Sequence, residues 1–347
     1  MQGLFLEYND PLFGLIVFFS IIFIITLITY IWNLYSSNHA NRHIINFVNQ
    51  FNRTDKPQNL QILLENKEVP SDALELLADN YFKAAQYEEA ILISIDLLKR
   101  KNSIKQRKPY LFLLAQSYFK AGFYKRSEST FVELLRCSIN EPKALRYLIV
   151  LYERLHRFDE ALDILESLDE MGEAIAKEAA YINAMRILFD SKITPQDKPK
   201  KLLAHYKDHP ELIRPVYINL FRMDKAFAWE NLPLDALPLI VDILWNQSKE
   251  DLNFDIISKT PFLRALYFAH GSFDTIDHSG FFEIDILASL QANNKDFATL
   301  QIEYLCLECK EITPLMNNRC PHCMALLTLE PQLSVTQKVD HESYYSF

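Results

Sequence analysis

The sequence predicts an all-α chain built as a solenoid of paired antiparallel helices. Three observations carry this: a recurrence of about 34 residues, small residues at fixed places within it, and only six glycines among 347 residues. The first repeating segment is Leu77-Ala78-x-x-Tyr81-Phe82-Lys83-Ala84, followed by Tyr87-Glu88-Glu89-Ala90. The second is Leu114-Ala115-x-x-Tyr118-Phe119-Lys120-Ala121-Gly122, followed by Tyr124 and Ser127. The third is Leu148-Ile149-x-x-Tyr152, followed by Phe158-Asp159-Glu160-Ala161, with Ile149 departing at the first small position. Tyr81, Tyr118 and Tyr152 stand 37 and 34 residues apart, and Ala90, Ser127 and Ala161 keep the same two intervals. Separate positions moving in step argue against coincidence in a generic helical bundle.

That period, with a small residue, a Tyr three later and another small residue nine after it, is the tetratricopeptide (TPR) pattern. Close approach of two helix backbones needs small side chains, so Ala78, Ala90, Ala115, Ser127 and Ala161 are expected at the contacts. The tyrosines with Phe131, Leu134, Leu165 and Leu168 are expected to fill the space between pairs. The three extra residues of the first interval are assigned to a basic linker, Lys99 to Lys108. Past residue 170 the phase blurs. Glu173–Phe189 reads as the first helix of a degenerate fourth repeat, and Pro195 and Pro199 then break the chain. Lys200–Tyr206, Glu211–Met223, Leu234–Ser248, Phe262–His270 and Phe281–Leu290 are further helix candidates, with Trp245 on an apolar face.

At the other end of the chain, Leu12 to Trp32 is a 21-residue, overwhelmingly apolar run, and no charged or histidine side chain lies between Asp10 and His39. Such a length suits a transmembrane helix across about 30 Å of hydrocarbon, with Tyr30, Trp32 and Tyr35 at one interface. Glu7 and Asp10 at the start disfavour a cleaved signal peptide. Arg42, Arg53 and Lys56 follow the run and no Lys or Arg precedes it, so the N-terminus is expected outside and the body in the cytoplasm of a single-pass membrane protein.

Four of the five cysteines fall within eighteen residues: Cys306-x-x-Cys309, ten residues, then Cys320-Pro321-His322-Cys323. Two Cys-x-x-Cys turns present four thiolates to one tetrahedral ion, so these four are the expected metal ligands, with Zn2+ favoured and iron the competitor. A unit this small has no core of its own and must serve the rest of the chain. His322 is read as exposed or supporting rather than ligating, and Cys137 as a small buried hydrophobe. Asp274, Asp277, His278 and Glu283 form a tempting acid cluster, but no nucleophile or phosphate loop accompanies them and a polar connecting loop is the favoured reading. No catalytic residues and no enzyme activity are expected. A net charge of -9 without a basic stripe disfavours a nucleic-acid partner.

The expected organisation is a span-bearing segment (1–38), a linker with three TPR repeats (39–170), a degenerate helical region (171–302), a four-cysteine ribbon (303–331) and a polar, frayed tail (332–347). This order resembles the LapB (YciM) family of lipopolysaccharide-assembly proteins: membrane anchor, TPR array, then a rubredoxin-like Cys-x-x-Cys and Cys-Pro-x-Cys ribbon. The resemblance implies that Cys306, Cys309, Cys320 and Cys323 bind the metal and that the ribbon packs on the repeats. It also implies a single-pass adaptor of the bacterial inner membrane, its N-terminus periplasmic and its body cytoplasmic, that binds client proteins and couples them to the membrane protease FtsH, regulating a lipid A biosynthesis enzyme. A stability factor for a membrane complex such as flagellar stator units is the alternative, and an electron-transfer protein with a four-cysteine iron centre a further one. Rubredoxin knuckles place Gly after the second cysteine of each pair, whereas this chain has Lys310 and Met324. A changed knuckle geometry is therefore expected.

Overall fold

In the computed structural model, the described residues are Phe23, Thr26, Leu27, Leu60, Leu64 and 69–338, apart from 102, 139, 275–276 and 294–296. The chain divides into two units, Met1–Leu77 and Ala78–Phe347. The expected span lies outside the described residues except for Phe23, Thr26 and Leu27, which are helical and exposed. Among the described residues, no helix is long and apolar enough to cross a membrane. The longest has 17 residues, about 26 Å, and carries Lys105, Arg107, Lys108 and Lys120. This overturns the expected single-pass inner-membrane localisation.

Fourteen α-helices run between Ser71 and Ala292 among the described residues. The first eight are α1 (Ser71–Lys83), α2 (Tyr87–Arg100), α3 (Ile104–Lys120), α4 (Tyr124–Cys137), α5 (Pro142–Arg154), α6 (Phe158–Glu170), α7 (Ala176–Phe189) and α8 (Lys198–Asp208). The remaining six are α9 (Ile213–Met223), α10 (Lys225–Glu230), α11 (Val241–Trp245), α12 (Phe254–Lys259), α13 (Pro261–Ala269) and α14 (Phe282–Ala292).

The three sequence repeats are three helix hairpins with one turn chemistry. Gln86 donates its backbone N–H to the Tyr81 carbonyl (2.9 Å), Phe123 to Tyr118 (2.8 Å) and Arg157 to Tyr152 (2.8 Å). Each turn passes through the left-handed region one residue earlier, at Ala85 (φ 60°), Gly122 (φ 83°) and His156 (φ 56°). This is the Schellman closure of a helix C-terminus, repeated at the intervals of the tyrosines. The five small residues Ala78, Ala90, Ala115, Ser127 and Ala161 are all fully buried. Ser127 satisfies its hydroxyl on the Ala115 carbonyl across the pair (2.9 Å), so burial of that polar group is compensated. Phe131, Leu134, Leu165 and Leu168 are buried as the repeat pattern requires.

Several expectations need correction. The longer first interval is not a loop: α2 runs to Arg100 and α3 starts at Ile104, so the extra residues become an added N-terminal turn of α3. Leu234–Ser248 is not one helix, because Pro238 has no N–H to donate; a 3-10 stretch, Leu234–Ile240, precedes the short α11, in which Trp245 is buried. Cys137 is exposed rather than buried. The acid cluster is loop chemistry: Asp277 pairs with Arg264 (2.6 Å), and the neighbouring Asp285 accepts from the Ser279 backbone and hydroxyl (2.8 Å each).

The chain is mostly helical but not all-α. A three-stranded antiparallel sheet of order β2-β1-β3 is formed by β1 (Ala298–Cys306), β2 (Ile312–Thr313) and β3 (Leu329–Gln337). β1 thus begins inside the region expected to be helical, and β3 occupies the start of the expected frayed tail. Alternation explains both strands. Leu300, Ile302 and Tyr304 point one way between Thr299, Gln301 and Glu303, a period of two that suits a half-buried strand. Leu300, Leu333, Val335 and Leu326 join the continuous core of the helices, so sheet and repeats share one apolar interior.

Ala85 is exposed and lacks the glycine that its left-handed φ favours. Ala85→Gly is expected to raise the unfolding free energy by about 1 kcal/mol, read from denaturant melts of the full chain.

Candidate metal centre

Each Cys-x-x-Cys pair sits in a tight knuckle, and the two knuckles repeat one another at an offset of fourteen residues. In the first, Cys306 donates its N–H to the Glu311 carbonyl (2.9 Å) and its carbonyl receives the Lys310 N–H (2.9 Å). In the second, Cys320 donates to Ala325 (3.0 Å) and receives from Met324 (2.8 Å). The flanking residues pair across each knuckle, Leu305 with Ile312 and Arg319 with Leu326. Lys310 and Met324 both take φ 63°. The expected change of geometry is therefore wrong: the left-handed turn is kept and two non-glycine residues carry its strain, on the order of 1–2 kcal/mol each.

The knuckles face each other. Cys306 Sγ lies 3.6 Å from Cys323 Sγ, and Cys309 Sγ 3.6 Å from Cys320 Sγ. All four sulfurs fall within 4.8 Å of one another. A tetrahedral ion with metal–sulfur bonds of about 2.3 Å requires sulfur–sulfur edges of about 3.8 Å, so the four thiols fit a metal ion. Cys306 and Cys320 are buried, Cys309 is half-buried and Cys323 exposed. His322 is exposed beside them.

Burial opposes ionisation of Cys306, but the Thr328 hydroxyl at 3.3 Å and the amides of Cys309 and Glu308 outweigh it and bring the thiol down to about 6. The thiol of Cys323 is pushed up by burial of its sulfur and by the hydrogen bonds that its S–H donates to the other three cysteines. Cys309 is also raised: its sulfur's hydrogen bond from the Glu311 amide and its burial oppose each other, and the Cys306 and Cys320 thiols tip the balance upward. A first thiolate is thus ready near neutral pH, and crowding keeps others protonated until a cation compensates their charge.

Two buried ion clusters fasten this ribbon to the repeats. At the second knuckle, Arg319 is 10% exposed and pairs through Nε with Glu153 of α5 (2.6 Å) and through Nη1 with Glu178 of α7 (2.9 Å). Tyr181 donates to the other Glu153 oxygen (2.9 Å) and receives from Asn318 (3.2 Å). On the strand side, the Tyr304 hydroxyl donates to Asp242 of α11 (2.9 Å), which Arg214 of α9 grips with two nitrogens (3.0 and 2.6 Å). Asp242 is 1% exposed. Breaking one partner out of such a buried cluster costs about 3–5 kcal/mol, because the remaining charge stays desolvated.

All four predicted ligands are brought together. The fastening residues were not anticipated, since their partners lie far apart in sequence. One signal was present: Asp242 interrupts the apolar run Leu239-Ile240-Val241-Asp242-Ile243-Leu244-Trp245, and a lone acid in such a run needs a buried partner. The chain matches no protein-family model and no curated protein.

Metal entry must displace at least the protons of Cys309 and Cys323, whose thiols are held above their ordinary range. Between pH 6 and 8, apparent metal affinity is therefore expected to rise with pH by at least about 100-fold per unit, two or more protons being released, as measured by chelator competition.

Proposed function

We propose that this protein is a non-enzymatic adaptor: the helical repeats bind client proteins, and the ribbon, closed around one structural Zn2+ by Cys306, Cys309, Cys320 and Cys323, clasps the first helices of successive pairs. The observation that carries this reading is the docking of the ribbon through Arg319 and Asp242. It supports a metal centre used to fix the shape of a binding surface. Four protein thiolates also leave a zinc ion no open position for a substrate. Bound zinc would supply cross-linking of the two knuckles, on the order of 10 kcal/mol of folding free energy for such a unit.

Repeats followed by a Cys-x-x-Cys and Cys-Pro-x-Cys ribbon support the LapB-type assignment. On that assignment the partners are the protease FtsH and a lipid A biosynthesis enzyme whose level the adaptor sets. Crosslinking in cells followed by purification of the full chain tests the proposal. Recovery of FtsH together with such an enzyme, on a colourless protein with one zinc per chain, is expected. Recovery of neither partner would remove the assignment, and stoichiometric iron with visible absorbance would replace the adaptor with an electron carrier.

A further inference from the structure

The ribbon does not fill the surface it docks on. Beside the second knuckle, between the ribbon and α3, α5 and α7, lies a cleft of about 550 Å³. Phe112, Val150 and Leu326 give it apolar walls. Its charged lining is Lys143, Arg146, Lys177 and Arg319 against Glu178 and Glu308, an excess of cations in a chain whose net charge is -9. Glu178 is already shared by Arg146 (3.3 Å) and Arg319 (2.9 Å), and Arg146 also holds Glu173 (2.6 Å).

Two cations and one donor remain. Lys143 is exposed and makes no ion pair among the described residues, and Lys177 reaches only the Leu327 carbonyl, at 3.5 Å. Arg319 spends Nε and Nη1 on glutamates, while its Nη2 is buried with no hydrogen-bond partner. A buried guanidinium N–H without an acceptor is costly, and an incoming carboxylate oxygen relieves it.

We propose that this cleft is a binding site for an extended acidic peptide segment, its carboxylate received by Lys143, Lys177 and Arg319 and its adjoining apolar side chain laid against Phe112 and Val150. The apolar walls favour a peptide over a free anion, because only the peptide joins both chemistries in one molecule. This rests on the adaptor reading and names the client feature recognised. Cys323, Met324, Ala325 and Leu326 are one wall of the cleft, so the site exists only while the ribbon is folded.

The test is fluorescence anisotropy on the zinc-loaded full chain with labelled eight-residue peptides of alternating Glu and Leu, Gln and Leu, or Lys and Leu. The Glu peptide is expected to bind at least about tenfold more tightly than the Gln peptide, and the Lys peptide not at all. Amidating the C-terminus separates recognition of a terminal carboxylate from that of side-chain carboxylates. Lys143→Glu, and Lys143→Glu with Lys177→Glu, are expected to weaken binding at least about tenfold with zinc content unchanged. The single variant serves if the double one loosens the ribbon. Metal removal should abolish binding. Equal affinity for all three peptides, no binding, indifference to Lys143→Glu, or competition by inorganic phosphate equal to that of the peptide would overturn the proposal. Clients still crosslinked to the Lys143→Glu variant in cells would leave the adaptor standing and remove only this site.

Discussion

Arg319 is the residue through which the four-cysteine ribbon and the helical repeats become one object. It immediately precedes the first cysteine of the second knuckle, pairs across that knuckle with Leu326, and buries its guanidinium between Glu153 and Glu178 of two successive repeats. A charge placed there without its partners would be strongly unfavourable, so the knuckle must be correctly folded for the helices to be correctly paired. The Asp242, Arg214 and Tyr304 cluster does the same on the strand side. Two ion clusters in an apolar interface specify one docking register, where an apolar contact alone would tolerate sliding.

Metal chemistry enters this scheme as a constraint on the chain. The sulfurs are gathered by two copies of the same turn, and both turns hold a non-glycine residue at φ 63°. Strain of that kind persists only where surrounding structure over-determines it, as backbone hydrogen bonds and flanking strand pairing do together, and a bound metal would add to them. Lost metal would then be felt beyond the ribbon. Leu326, Leu333 and Val335 pack on the core shared with the helices, and the cleft loses a wall.

Legibility in the sequence followed the range of the interactions. Local periodicity revealed the three hairpins, their buried small residues and the four ligands, because each depends on residues a turn or two apart. The sheet was missed although Leu300, Ile302 and Tyr304 alternate correctly, since the strand that completes it, Leu329–Gln337, begins twenty-three residues after β1 ends at Cys306 and looks polar by itself. Glycine at the knuckle turns was over-weighted: Lys310 and Met324 accept the left-handed region at a modest energetic cost. The Arg319 cluster was invisible for a different reason. Glu153 and Arg319 are 166 positions apart, and nothing local distinguishes either from a surface charge.

The central claim is that the metal-closed ribbon holds α5 and α7, the first helices of successive pairs, in place. Hydrogen–deuterium exchange of the full chain, with its metal bound and after removal, tests it most directly. Faster exchange is predicted in 298–337 and also in α5 and α7 around Glu153 and Glu178, which lose Arg319. Faster exchange confined to the ribbon, with α5 and α7 unchanged, would contradict it.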